Sequence, residues 1–410
     1  MLQLVDLAPI SLDRYEDVIG AQVITELRQL ASSLQGARVA HINSTSYGGG
    51  VSELLRSLIP IYRALGIDAS WNVIPGEARF FEITKGFHNA LQGAHFNLTD
   101  EAKDIYLRHN REISELLERR YDYIVIHDPQ PAAVRALHGH NNAKWVWRCH
   151  IDTSSPNPEV CAFLLPFMLE YDALVFTMEQ FVPQEIRGKE NLVIMTPGID
   201  PLSPKNMTLP TDISSRIVAW TGVQLDRTLI TQVSRFDPWK DPMGVIDVYR
   251  KVRKETPGIQ LALLGQIALD DPEGWDMYHQ IVAEVGTDPD IHVLTNFIGI
   301  GNLEVNAFQS HSNVVLQKSI REGFGLVVSE ALWKGTPVVA GRAGGIPLQM
   351  PEGTGGYLIE DNDECAQRII QLLRDPTEAQ KLGVKGRQHI KDHFLITRLL
   401  ADELRLLNSL

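Results

Sequence analysis

The chain has 410 residues, more than one ordinary core holds and enough for two domains of about 150–200 residues each. Its formal net charge of −13 argues against general affinity for nucleic acid or an anionic membrane. Cys149, Cys161 and Cys365 form no C-x-x-C pair, so neither a disulfide framework nor a cysteine zinc site is expected; with no apolar run of about 18 residues and no basic-then-apolar leader, the expectation is a cytoplasmic protein with no membrane partner.

Strands alternate with helices along the chain. Residues 37–42 read as a strand, followed by a polar, glycine-rich turn from Asn43 to Gly50. Val51, Leu54, Leu55, Leu58, Ile59, Tyr62 and Leu65 then recur at helical spacing, with Gly66 as a stop. Further strands are expected at 69–74, 123–126, 144–147 and 173–177. The stretch from Thr196 to Gly222, rich in Pro, Ser, Asp and Asn, reads as a connection between domains. A second series of strands follows at 229–233, 261–264, 292–295, 313–316 and 337–340, with helices such as 244–254 and 365–374 between them. The expectation is an α/β chain of two doubly wound parallel-sheet domains, 1–205 and 206–392, with a leucine-rich helix from about 393 to 410 joining the first. Ligands bind outside the carboxyl ends of such strands, so two facing sheets would set the site in an interdomain cleft.

Four groups of residues carry possible chemistry. Tyr47-Gly48-Gly49-Gly50 lies between a strand and a helix, where glycine lets a ligand approach the backbone and helix amides favour an anion; a tight turn that binds nothing fits as well. A dinucleotide fingerprint is broken there, since Glu53 occupies the third glycine position, and no Walker phosphate loop is present. Arg235 and Lys240 flank a proline-containing turn at a strand end and are placed either to converge on a polyanion or to stand as solvated cations. Glu322-Gly323-Phe324-Gly325 leads through Leu326 into a helix that carries Glu330. Glu322 and Glu330 are too far apart for a retaining glycosidase dyad, but suit the two ends of one extended ligand; a capping glutamate and an exposed one are the alternative. His150 and Asp152 end a strand of the first half, where a histidine with a purely structural hydrogen bond is equally consistent.

Together these residues resemble the retaining, glycogen-synthase-like glycosyltransferases of the GT-B fold: Glu322 and Glu330 match that family's E-x7-E signature, joined by Ser234-Arg235 with Lys240 and by the glycine turn. Closer still, HIDTSSPN from His150, GIDPLSPKN from Gly198 and QKSIREGFGLVVSEALWKGTPVV from Gln317 are similar to the trehalose synthases of this family and to the related trehalose phosphorylases. The synthases join nucleoside-diphosphate glucose to free glucose, and the phosphorylases use α-glucose 1-phosphate. No motif separates the two; chain length favours the synthases.

The resemblance implies roles. Arg235 and Lys240 would neutralise the departing diphosphate. Glu322 and the amides of Gly323, Phe324 and Gly325, with Leu326 beyond, would hold the donor glucose and its phosphate, and Glu330 the ribose. His150 would contact the sugar near its 6-hydroxyl. Gly48 and Gly49 would line the phosphate and acceptor side, with Asp152 on sugar hydroxyls, and Asn296 and Phe297 would meet the base. A same-face displacement with retention is expected, since no carboxylate in these motifs stands as a covalent nucleophile. No metal site is expected, although Mg²⁺ can accompany the nucleotide. A homodimer is the default assembly. A non-catalytic nucleotide-sugar-binding protein, a nucleotide-sugar epimerase and a dinucleotide oxidoreductase are the rival readings.

Overall fold

A computed structural model describes residues 2–118, 120–139, 141–267 and 272–410. The chain divides into two compact units. Unit 1 runs up to Gly198 and takes back Ile396–Leu410; unit 2 is Ile199–Leu395.

Unit 1 is built on seven strands: β1 (Gln3–Leu4), β2 (Arg38–Asn43), β3 (Asp68–Val73), β4 (Tyr123–His127), β5 (Lys144–Cys149), β6 (Ala173–Phe176) and β7 (Leu192–Ile194). Their order is β1-β3-β2-β4-β5-β6-β7, parallel throughout except for β1 at the edge. The central strands are apolar because helices cover both faces. On one face Ile42, Ile126, Trp147 and Phe176 pack with Phe87, Tyr106 and Leu164 of the helices Ala78–Leu91, Asp100–Leu116 and Pro158–Met168. Tyr62 of the helix Gly49–Ala64 and Leu407 of the helix Ile396–Ser409 face Val125, Val146 and Val175, which alternate onto the other. Winding reverses between β2 and β4, so the carboxyl ends of these two strands flank the natural ligand crevice of this unit.

Unit 2 holds β8 (Leu229–Arg235), β9 (Gln260–Gln266), β10 (Ile291–Thr295), β11 (Val314–Gln317), β12 (Val338–Gly341) and β13 (Gly356–Ile359), all parallel, in the order β10-β9-β8-β11-β12-β13. This is the dinucleotide-fold order, and its switch point lies between β8 and β11. Ile230, Leu261, Leu263 and Leu316 form one core with Val245, Val248, Tyr249 and Ile369. The helix Pro242–Glu255 starts sharply because Pro242 fixes its first turn and the Asp241 carboxylate accepts the Gly244 N–H at 3.0 Å.

Three expectations change. The stretch read as a connection contains a helix, Thr211–Trp220, whose Val218 is fully buried. The units divide at Gly198/Ile199, ahead of the 205/206 boundary read from composition. Ile199 N–H bonds Phe394 O at 2.8 Å, and the Asn306 amide donates to Pro204 O and Met207 O at 3.0 and 2.8 Å, which ties this run to unit 2. Three strands escape the periodicity: β1 has two residues, and β7 and β13 are short edge strands that are mostly half-buried. Among the described residues no helix is long and apolar enough to cross a membrane.

Candidate active site

In unit 2 the switch point brings two distant motifs together. Lys240 follows β8 and Glu322 follows β11, and their side chains meet with Nζ to Oε2 at 2.5 Å, both largely buried. The same Glu322 oxygen accepts from Ser319 Oγ at 3.1 Å and Gln317 Nε2 at 3.4 Å. The backbone of this corner is tied across strands: Gln232 Nε2 donates to Lys240 O at 2.7 Å, and Ile320 N–H to Trp239 O at 2.8 Å. Lys318 pairs with Asp241, and the Arg321 guanidinium lies 5.3 Å from the centre of the Trp239 ring.

The turn Glu322–Gly325 is braced from behind. Gly325 adopts φ +82 at the start of the helix Leu326–Trp333, where no side chain caps the first amides, leaving them suited to an anion. Gly345 N–H bonds Gly323 O at 3.1 Å, and Gln349 Nε2 donates to Phe324 O at 2.6 Å. Gln349 is fixed in turn by Ser329 Oγ on its Oε1 at 2.6 Å. Phe324 is buried against Phe394.

The remaining donor-side candidates are dispersed. Arg235 keeps an exposed side chain 3.1 Å from Asp237 Oδ2. Asp237 is itself held by accepting Trp239 N–H at 2.8 Å. Glu330 does not join Glu322: its carboxylate is only 3% exposed and lies 3.6 Å from Lys205 Nζ and 3.4 Å from Gln309 Nε2. The ammonium of neighbouring Lys334, which donates to Asn206 Oδ1 and Glu330 O, is lowered by burial to about 7. Asn296 spends its amide on the backbone of Ile267, donating to O at 3.1 Å and accepting N–H at 2.9 Å, and so serves the end of β9. Phe297 is half-exposed and stacks on Trp275 with ring centres 5.2 Å apart.

In unit 1, Gly48 and Gly49 have φ +68 and +78 and face open space at their Cβ positions. They begin the helix Gly49–Ala64, which also lacks a side-chain cap. The preceding turn is pinned by Asn43 Nδ2 and Ser52 Oγ, which both donate to Thr45 O. Asp152 accepts Ser154 N–H at 2.9 Å and shapes its own loop.

His150 stands on a larger construction. Its Nε2 is 2.8 Å from His127 Nδ1, and His127 Nε2 is 3.0 Å from His41 Nδ1, with ring planes 17° and 28° apart, so the three imidazoles run end to end. Burial lowers all three, His41 to about 3 and the other two well below the ordinary histidine value, with the Arg148 charge adding to the effect. Arg148 is buried and pairs with Glu403 of the carboxyl-terminal helix, whose Oε2 accepts Tyr62 Oη at 2.9 Å. Asp128, at φ +63, accepts the His150 N–H at 2.9 Å, and burial raises its carboxyl to about 7. His41, His127, Asp128, Arg148 and Glu403 are absent from the residues singled out in sequence. Alternation along β5 puts Arg148 and His150 on one face, and the register that pairs His127 with Arg148 brings His127 to the same side of the sheet.

Among the described residues no group of three or more His, Cys, Asp or Glu is arranged to hold a metal ion. Residues 217–389 match the family described as glycosyl transferases group 1. Two solved structures share the fold over 91% of this chain: a trehalose-6-phosphate synthase, TM-score 0.72, 16% identical, 99% of that chain covered; and an Anabaena protein in complex with UDP-glucose, TM-score 0.70, 17% identical, 100% covered. Two Rossmann-like units with these features define a GT-B glycosyltransferase. Residues 41–183 match the trehalose synthase N-terminal domain, and the chain is 49% identical to the trehalose synthase of Rubrobacter xylanophilus over 100% of its own length and 99% of that protein. A trehalose phosphorylase of Pleurotus pulmonarius is 32% identical over 93% of this chain and 58% of that protein. The chain belongs to the trehalose synthase family, and its chemistry is trehalose-related glycosyl transfer.

Proposed function

We propose that the enzyme moves glucose, with retention, from a nucleoside-diphosphate glucose to free glucose, forming α,α-trehalose. The observation that carries this reading is the Lys240–Glu322 pair at the β8/β11 switch point, beside the uncapped amides of the Gly325 helix start. A cation, a carboxylate and free amides are what the phosphate and hydroxyls of a donor sugar require. The fold shared with a protein solved in complex with UDP-glucose supports a nucleotide sugar as donor. The full-length identity to a trehalose synthase supports glucose as acceptor.

In this reading Lys240 and Arg235 offset the charge that builds on the departing diphosphate, Arg235 turning from Asp237 to do so. Glu322 and the Gly323–Gly325 backbone, with Leu326, hold the donor glucose, and Glu330 takes the ribose by exchanging its contacts with Lys205 and Gln309. Phe297 offers an apolar face to the base, while Asn296 shapes the turn beneath it. His150 meets the sugar, and Gly48, Gly49 and Asp152 serve the acceptor. The departing phosphate oxygen takes the proton of the incoming hydroxyl on the same face, through an oxocarbenium-like state. Mg²⁺ arrives, where present, on the nucleotide. We place the enzyme in the cytoplasm as a homodimer.

The test supplies UDP-, ADP- or GDP-glucose with free glucose and follows nucleotide release and the anomeric signals of the disaccharide. Trehalose formed stoichiometrically with nucleoside diphosphate is the expected result. No disaccharide from any nucleotide donor, but product and released phosphate from α-glucose 1-phosphate with free glucose, would make the enzyme a phosphorylase, a reading supported only by the lower identity to that group. Donor breakdown without any disaccharide would refute the acceptor.

A further inference from the structure

The three-histidine chain in unit 1 lies at its switch point. His41 is on β2, His127 ends β4 and His150 follows β5, and one row of contacts joins them at 3.0 and 2.8 Å. A neutral imidazole donates from one nitrogen and accepts at the other. Two patterns therefore satisfy both contacts. In one, every ring carries its proton on Nδ1: His41 donates to His127, and His127 donates to His150. In the other, every ring carries it on Nε2 and each bond runs the opposite way.

The buried end of the chain chooses between them. His41 Nε2 is fully buried and has no hydrogen-bond partner, and the same holds for Nη2 of Arg148. A proton on His41 Nε2 would bury an N–H with no acceptor, within the field of a guanidinium that acts on all three rings. A lone pair there lies within the field of that positive charge, which favours it. Glu403 balances most of that charge and holds Arg148 in place.

We propose that His127, His41 and Arg148 are positioning residues that hold His150 uncharged with its proton on Nδ1, so that it meets the donor sugar as a hydrogen-bond donor. The functional half rests on the assignment of His150 to the sugar made above. The consequence is electrostatic. The anomeric carbon becomes positive as the phosphate leaves, and an imidazolium against the same sugar ring would oppose that charge. An uncharged N–H orients a sugar oxygen without that cost. His127 also orients the His150 ring through their 2.8 Å contact, with the two ring planes only 17° apart, and Asp128 fixes its backbone.

The full chain labelled with ¹⁵N-histidine tests this by long-range ¹H–¹⁵N correlation, with His41→Gln, His127→Gln and His150→Gln assigning the signals. The expected spectrum of the wild-type protein has all three rings protonated on Nδ1 and bare at Nε2. A proton on Nε2 of any of the three, or a doubly protonated ring near neutral pH, overturns the proposal. His41→Gln should move the His150 signals toward a tautomer mixture and lower kcat about tenfold, the worth of one hydrogen bond, with KM for glucose unchanged. Unmoved His150 signals in that variant also overturn it, and if the variant does not fold the wild-type spectrum still decides. Full turnover by His150→Ala would remove the sugar contact from the proposed function and leave the tautomer pattern standing, so the two failures are separable.

Discussion

Asp128 Oδ1 accepts the backbone N–H of His150 at 2.9 Å, joining the end of β4 to the residue that follows β5. The contact holds Asp128 at φ +63, a left-handed backbone that non-glycine residues seldom adopt. Burial raises its carboxyl from the usual range to about 7, so the folded protein retains this proton longer than the unfolded chain does. Unfolding free energy therefore falls as pH rises from about 4 to about 7, by at most about 1.4 kcal/mol per pH unit from this group. Asp128→Asn keeps the acceptor oxygen and removes the charge. Its stability relative to wild type should grow across that window and level off above it, with turnover retained. Denaturant curves at several pH values check this, and parallel profiles for the two proteins would remove the raised carboxyl.

Arg148 and Glu403 are a buried pair that fastens the carboxyl-terminal helix to the sheet of unit 1. Breaking such a pair leaves one charge without a partner, at a cost of about 3–5 kcal/mol. Glu403→Ala should lower the unfolding transition of unit 1 accordingly and raise amide exchange in Ile396–Ser409. Replacing both residues with apolar side chains, Arg148→Met with Glu403→Leu, should cost less stability than either single change. It should still disturb the histidine chain, because the charge that acts on its rings is gone. A double variant no more stable than Glu403→Ala would mean that helix docking depends on packing alone.

Lys240 and Arg235 differ in what they hold in the folded protein. Lys240 is largely buried on Glu322, whereas the Arg235 side chain is exposed and its pair with Asp237 adds little to stability. Arg235→Ala should keep its melting temperature while kcat falls about 10²–10³-fold, the loss expected from removing one preorganised stabilising group. Lys240→Ala should lose a similar factor and also some stability, since Glu322 then keeps only Ser319 and Gln317. Normal turnover by Arg235→Ala would remove the diphosphate from that side of unit 2.

Much of the fold was legible because burial on both faces makes β2, β4, β5, β9 and β11 short apolar runs, and glycine marks the turns after β2 and β11. The Lys240–Glu322 corner was legible as two motifs at strand ends, but their 82-residue separation is closed only by the strand order, which places β8 beside β11. Glu330 reads as half of a matched pair, yet the helix turns it inward to Lys205, a partner on a stretch that looks like linker. The histidine chain was missed for a plainer reason. His41 is on β2, His127 ends β4 and His150 follows β5, and a lone polar residue in or beside an apolar run gives no sign of what faces it until the register is known.

Glycine separates two kinds of constraint in these turns. Gly48 occupies φ +68, and a Cβ there would touch nothing within 4 Å, so Gly48→Ala meets only backbone strain, about 1–3 kcal/mol. Gly344 has φ +49, and its Cβ would fall 1.9 Å from Glu322 O and 2.7 Å from Glu322 C, both backbone atoms that cannot rotate away. Gly344→Ala must therefore shift the turn that carries Glu322, and with it the acceptor of Lys240. The expected outcome is a rise in KM for the nucleotide sugar and a fall in kcat, beyond any loss of stability. Gly48→Ala should lower the melting temperature with a smaller effect on donor KM. Equal donor KM values in the two variants would show that the Glu322 turn tolerates displacement, and would weaken its assignment to the donor glucose.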